Sequence, residues 1–156
     1  MLIQDVMSRA VKSVSPETSL QEVASLMCLQ RFSSIPVIDS QGILTGVIAE
    51  RDILKFLFPD IKDLMESPSA INFQALEQDY RKIFSMTAAE LMSKQVISVT
   101  PDYPLLKAVA VMARHNFRRI PVTQEGVLVG MVSMGDIHRA TFIKSFSGSP
   151  QLTETA

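Results

Sequence analysis

With 156 residues, 47% of them apolar and 20% charged, the chain is long enough to bury a real core and has an ordinary globular composition. Fifteen basic against sixteen acidic side chains leave a net charge of −1, which argues against a general nucleic-acid binder, whose footprint is a basic excess. The single cysteine excludes an intrachain disulfide. No run approaches the ~20 apolar residues of a membrane span, and Met1 opens into Gln4 and Asp5 without a signal peptide's basic start, so a cytoplasmic location is expected.

Taken in order, Ile3 to Met7 is a short apolar-polar segment, and Val11-Lys12-Ser13-Val14 alternates as a strand does until Pro16. A helix follows, with Leu20, Val23, Ala24 and Met27 at the spacing of a core-facing stripe. Two capping boxes compete for its start, Thr18 with Gln21 and Ser19 with Glu22. Ser19 aligns with Pro104 in a second copy described below, and proline favours the first helical position, so Thr18 is the expected cap. Cys28, between Met27 and Leu29, reads as a buried, inert thiol. After Phe32-Ser33-Ser34 come a strand Ile35 to Ile38, a turn at Ser40-Gln41-Gly42 and a strand Ile43 to Ala49. A helix then begins near Glu50, carrying Ile53, Leu54, Phe56 and Leu57 until Pro59.

The pattern returns 85 residues later, where Leu91-Met92-Ser93 repeats Val6-Met7-Ser8 and Phe117, Ile120, Pro121 and Val122 repeat Phe32, Ile35, Pro36 and Val37. The second turn is one residue shorter, so Gly130 and Asp136 follow Gly46 and Asp52 by 84. Agreement across strand, helix, strand, turn, strand and helix marks an internal duplication. Each half has only about 55 residues, too few to bury much core alone, so the halves are expected to pack as a pseudo-twofold pair. The expected organisation is a first motif over 3–57, a linker over 58–86, a second motif over 87–143 and a flexible tail over 144–156. Within the linker, Phe73, Leu76, Tyr80, Ile83 and Phe84 have helical spacing. That helix either covers the pair or docks a partner or second subunit.

Each copy runs from an Ile-Pro-Val strand through a glycine turn and a second glycine to an Asp at a helix start. The order strand, helix, strand, strand, helix, with Ile120-Pro121-Val122 before a Gly-apolar-apolar-Ser-x-x-Asp run ending at Asp136, resembles the CBS domain. The resemblance covers about residues 3–57 and 87–143 and implies an α+β fold of two βαββα motifs with a linker helix between them. It further implies two clefts, each shared by both motifs, that take adenine nucleotides or S-adenosylmethionine. Carried over residue by residue, one cleft holds Asp136, Ser133, Lys12, Val14, Phe32, Ser33 and Ser34. The other holds Asp52, Ile97, Val99, Phe117, Arg118 and Arg119. An Asp at the helix start can accept from both ribose hydroxyls, and Ser133 can donate to a phosphate beside the helix N-terminus. The first copy has Ala49 in place of that serine, while Arg118 and Arg119 offer guanidinium forks for extra phosphate charge.

No other chemistry stands out. His115 and His138 lie in different contexts without cysteine or carboxylate partners at ligand spacing, and no phosphate-binding Gly-Lys loop or nucleophile elbow occurs. Met27, Met92, Met112 and Met131 fall at core-facing repeat positions. The reading that results is a non-enzymatic regulatory module with no required cofactor, no metal, no catalytic residue and no nucleic-acid partner. It binds an AMP, ADP or ATP class ligand, in the manner of an energy sensor, and signals occupancy to an unknown regulated protein. A homodimer is expected, through apolar residues near the ends of the two motif helices: Phe56, Leu57 and Phe58 on one, Phe142 and Ile143 on the other. An S-adenosylmethionine or NAD(H) sensor, and a dimeric scaffold that no longer binds ligand, are the alternatives.

Overall fold

Leu20, Val23 and Met27 recur at helical spacing, and the structure buries all three on one side of helix α1 (Leu20–Gln30). The molecule is described by a computed structural model over residues 1–55, 65, 66, 69 and 71–147. After α1 come strands β1 (Ser34–Ile38) and β2 (Leu44–Ala49) and the short helix α2 (Glu50–Leu54). Helix α3 (Phe73–Lys82) runs into a 3-10 turn at Ile83–Ser85, and α4 (Ala88–Leu91) follows. The second copy supplies α5 (Leu105–His115), β3 (Arg119–Gln124), β4 (Val127–Ser133) and α6 (Met134–Phe146). The mixed α+β class is as expected. Phe56, Leu57, Phe58 and Pro59, and the tail beyond Ser147, lie outside the described residues.

Each copy contributes one antiparallel hairpin, β1-β2 and β3-β4. In the first, Ile35 faces Ile48 and Val37 faces Gly46, with the register slipping between Val37 and Ile38. Thr45 sits at that irregularity, its hydroxyl donating to the Val37 carbonyl at 3.1 Å. The connecting turn is held by Asp39, whose Oδ1 accepts from the amides of Gln41 and Ile43, both at 2.9 Å. In the second, Glu125 and Gly126 both adopt positive φ, 51° and 82°, the two-residue hairpin geometry that glycine eases. The strands expected at Lys12–Val14 and Ile97–Val99 reduce to single parallel bridges, Val14 with Val37 and Val99 with Val122. Each bridge is nonetheless fully bonded, Val14 donating to Pro36 O (3.0 Å) and accepting from Ile38 N (2.9 Å).

Two compact units emerge, and they are not the two copies. One consists of residues 12–96 with 126–128, the other of 1–11, 97–125 and 129–156. The leading segment of each copy therefore belongs to the core formed around the other copy's helix and hairpin. In the first unit Ala88 and Leu91 join Val14, Leu20, Val23, Met27, Ile35, Val37, Ile48, Ile53 and Ile83. In the second unit Ile3 and Met7 join Val99, Leu105, Ala108, Met112, Ile120, Val122, Val132 and Ile137. Burying a side chain such as Ile3 stabilises the unit by about 1.5–3 kcal/mol.

Two sequence readings are corrected. The cap of α1 is Ser19, whose hydroxyl accepts from the Glu22 amide at 3.2 Å, while Thr18 Oγ1 accepts from the Ser15 amide instead. The argument from Pro104 failed because that proline is itself the residue before α5, with φ −62° and ψ 130°; its fixed φ suits an extended cap position as well as a helical one. Cys28 is exposed, because it follows the buried Met27 by one residue and so turns about 100° away from the stripe. The linker helix forms as expected. Tyr80 and Phe84 make an edge-to-face ring pair at 5.0 Å and lie against the first unit's core, whereas Phe73 is left exposed.

Candidate functional site

The residues that begin the two motif helices carry the candidate chemistry. In the second unit β4 ends at Ser133, which caps α6. The Ser133 hydroxyl accepts from the Asp136 amide at 3.1 Å, and Asp136 Oδ2 accepts from the Ser133 amide at 3.1 Å. The same hydroxyl donates its proton to Asp136 Oδ2. This reciprocal cap satisfies two of the amides that a helix start leaves open. In the first unit Asp52 Oδ2 accepts from the Ala49 amide at 2.8 Å, and Ala49 has no hydroxyl to complete the exchange. Asp52 and Asp136 are both half-buried.

A main-chain bond ties each helix start to the segment before its first hairpin strand. Glu50 N donates to Ser33 O at 3.0 Å, and Met134 N donates to Arg118 O at 2.9 Å. Upstream, the amides of Phe32 and Phe117 close α1 and α5 on the carbonyls of Met27 and Met112 at 3.0 and 2.8 Å. The Phe117 ring stacks on His115 with centroids 5.4 Å apart and planes at 20°. Ser34 pairs with Ala49 in the β1-β2 register, Arg118 is exposed, and Arg119, half-buried, opens β3. Sequence reasoning missed the two carbonyl bonds, which carry no side-chain signature.

The expected ligand contacts divide between the units. Ser133 shares a unit with Asp136, along with Ile97, Val99, Phe117, Arg118 and Arg119. Asp52 shares one with Lys12, Val14, Phe32, Ser33 and Ser34. Among these, Val14 and Val99 are buried in their cores, Lys12 is exposed, and Phe32, Ser33, Ser34, Ile97 and Phe117 are half-buried. Among the described residues no group of three or more His, Cys, Asp or Glu side chains is placed to hold a metal ion, and no helix is long and apolar enough to cross a membrane. Phe142, Ile143 and Phe146 of α6 are each 57% exposed, and the two phenylalanine rings lie against each other at 4.7 Å.

The family model of the CBS domain matches residues 3–59 and 88–142. The CBS domain-containing protein YhcV of Bacillus subtilis is 33% identical over 135 residues, covering 86% of this chain and 81% of that protein. In structure the chain is similar to CBSX2 of Arabidopsis thaliana, solved in complex with AMP, with a TM-score of 0.72 at 23% identity over 92% of this chain and 98% of that one. It is also similar to the CBS domain pair of protein MJ0100, solved with 5′-methylthioadenosine and S-adenosyl-L-methionine, with a TM-score of 0.66 at 23% identity and the same coverages. At those identities the two solved structures bear on the fold.

Proposed function

This chain belongs to the CBS domain family, and from that premise we propose that it is a regulatory module that binds an adenine nucleotide and signals its occupancy to a partner protein. The observation that carries the reading is the repeated carboxylate at the third position of each motif helix, Asp52 on α2 and Asp136 on α6. A carboxylate on a half-buried residue there suits the two hydroxyls of a ribose. Support for an adenosyl ligand comes from the AMP, methylthioadenosine and S-adenosylmethionine complexes of proteins with this fold. The proposed contacts are Asp136, Ser133, Ile97, Val99, Phe117, Arg118 and Arg119 from one unit and Asp52, Lys12, Val14, Phe32, Ser33 and Ser34 from the other. The ligand acts as a regulator, and no step of chemistry is assigned to the protein. We further propose a cytoplasmic homodimer, with the exposed Phe142, Ile143 and Phe146 in its interface.

A thermal-shift screen with adenosine, AMP, ADP, ATP, NADH and S-adenosylmethionine tests the reading. A ligand present at about 100 times its dissociation constant adds about 2.7 kcal/mol to the stability of the folded state. A clear rise with AMP, ADP or ATP is the expected result, and a response only to S-adenosylmethionine or NADH would move the assignment to those sensors. The second reading, a scaffold without a ligand, is favoured by one observation: Ser133 and Asp136 already satisfy each other. No shift with any of the six compounds would select it.

A further inference from the structure

The leading segment of each copy is an arm that seats in the core built around the other copy, and the two seatings match bond for bond. Ile3 N donates to Tyr103 O at 3.0 Å, as Ala88 N does to Thr18 O at 2.8 Å. Gln4 N donates to Pro101 O at 2.8 Å, as Ala89 N does to Pro16 O at 2.9 Å. Leu105 N reaches Met1 O at 3.1 Å, and Leu20 N reaches Met86 O at 2.9 Å. Ser8 exchanges both main-chain bonds with Met131, and Ser93 does the same with Val47. Even the internal caps agree, Asp5 accepting from the Leu2 amide and Glu90 from the Thr87 amide. Met7 then fills the space beside Gly130, and Met92 the space beside Gly46.

The side chains of the arms differ at most positions, for example Ile3 against Ala88 and Val6 against Leu91. The main-chain bonds and the methionine are common to the two seats, while each seat also buries side chains of its own arm, Ile3 in one and Ala88 and Leu91 in the other. Nothing in those contacts requires that the arm come from the same polypeptide. We propose that the seat beside Gly130 accepts residues 1–11 of a second copy of this chain, so that Met1–Val11 is an exchangeable docking arm. Arm exchange is a low-cost route to association, because every bond of the exchanged state already exists in the unexchanged one. The chain's own arm competes at an effective concentration of about 1 mM, so exchange is a minor state that grows with protein concentration.

The test uses two versions of the 156-residue chain, both with Cys28→Ser, one carrying Ser8→Cys and the other Met131→Cys. Seated on its own chain, neither introduced thiol has a partner. Only an arm of the first chain seated in the second brings them face to face. The chains are unfolded together, refolded and oxidised, and a reducible mixed dimer is expected, on the order of a tenth of the protein at about 100 μM. Its yield should rise with refolding concentration and disappear when Met7→Asp is added to the arm. A chain carrying both Ser8→Cys and Met131→Cys shows that the pair closes at all, and Ser93→Cys with Val47→Cys gives the same control at the other seat. If the double variants close within one chain but the mixture gives no more dimer than a control with Gln4→Cys, exchange does not occur. If neither double variant closes, the seats are not as described, and the proposal also falls. A mixed dimer that survives Met7→Asp would assign the cross-link to some other contact between copies and overturn it equally.

Discussion

A Cβ placed on Gly46 would lie 2.7 Å from Met92 Cγ and closer still to its sulfur, so Met92 occupies the space that a side chain at position 46 would need. Gly130 stands in the same relation to Met7, with 2.8 Å to the sulfur, and in addition 3.0 Å to the main-chain oxygen of Ser8. Both glycines are buried within a strand, where glycine is otherwise unfavourable, and close approach of an arm is the reason they are there. At Gly46 the near atoms all belong to Met92, its Cβ included at 3.0 Å, whereas at Gly130 one of them is a main-chain oxygen.

Gly130→Ala and Gly46→Ala are therefore each expected to destabilise the protein by about 1–3 kcal/mol, the usual cost of overpacking. Urea unfolding of the two variants measures the cost of each. Adding Met92→Ala to Gly46→Ala should recover part of the loss, since the clash partner is gone. A variant at either position that is as stable as the wild type would contradict these contacts.

Asp136→Ala removes a carboxylate that accepts from both the amide and the hydroxyl of Ser133, whereas Asp52→Ala removes one that accepts only from the Ala49 amide. Loss of a cap costs about 0.5–2 kcal/mol, so Asp136→Ala should lower the denaturation midpoint more than Asp52→Ala. If the carboxylates also hold a ribose, each variant should weaken nucleotide binding by about 1.5–3 kcal/mol, or roughly 10- to 150-fold, in calorimetry. Lower stability with unchanged affinity would leave these residues as caps only.

Arg118 and Arg119 are proposed phosphate ligands. Across adenosine, AMP, ADP and ATP, affinity should rise with phosphate charge, and the gain should shrink as salt is raised. Replacing both arginines by alanine should flatten the series. A double variant that keeps the wild-type preference for ATP over adenosine, in titrations at two salt concentrations, would remove them from the site.

Phe142 and Phe146 leave an apolar surface on α6. Replacing both by serine is expected to halve the mass seen by light scattering at tens of micromolar, with a stability change within about 0.5 kcal/mol for each exposed position. A wild-type protein that already has the mass of one chain would dispose of the dimer.

Cys28 offers a quick check on α1. Being exposed, it should react with a thiol reagent in the folded protein nearly as fast as in urea. Strong protection would return it to the interior.

The sequence by itself determined everything that depends on local chemistry and on repetition. The duplication, the two Ile-Pro-Val strands, the glycine turns, the helix at Phe73–Lys82 and the carboxylates Asp52 and Asp136 at the third helical position were all legible. Each is written in the spacing of a few neighbouring residues, as periodicity, turn chemistry or a capping pattern. What only the tertiary structure decided are choices among equals. Val6-Met7-Ser8 and Leu91-Met92-Ser93 look alike, and so do the strands that receive them, so no local pattern says which arm seats in which core. Ser19 and Thr18 are both competent caps, and the choice falls to Ser19 because α1 starts at Leu20, a residue fully buried in its unit's core. Cys28 is apolar enough to be buried and sits one position off the stripe that is, a difference that matters only once the core lies on one side of the helix. Contacts between distant residues settle such cases, because the energy that separates the alternatives resides in those contacts and not in the segment itself.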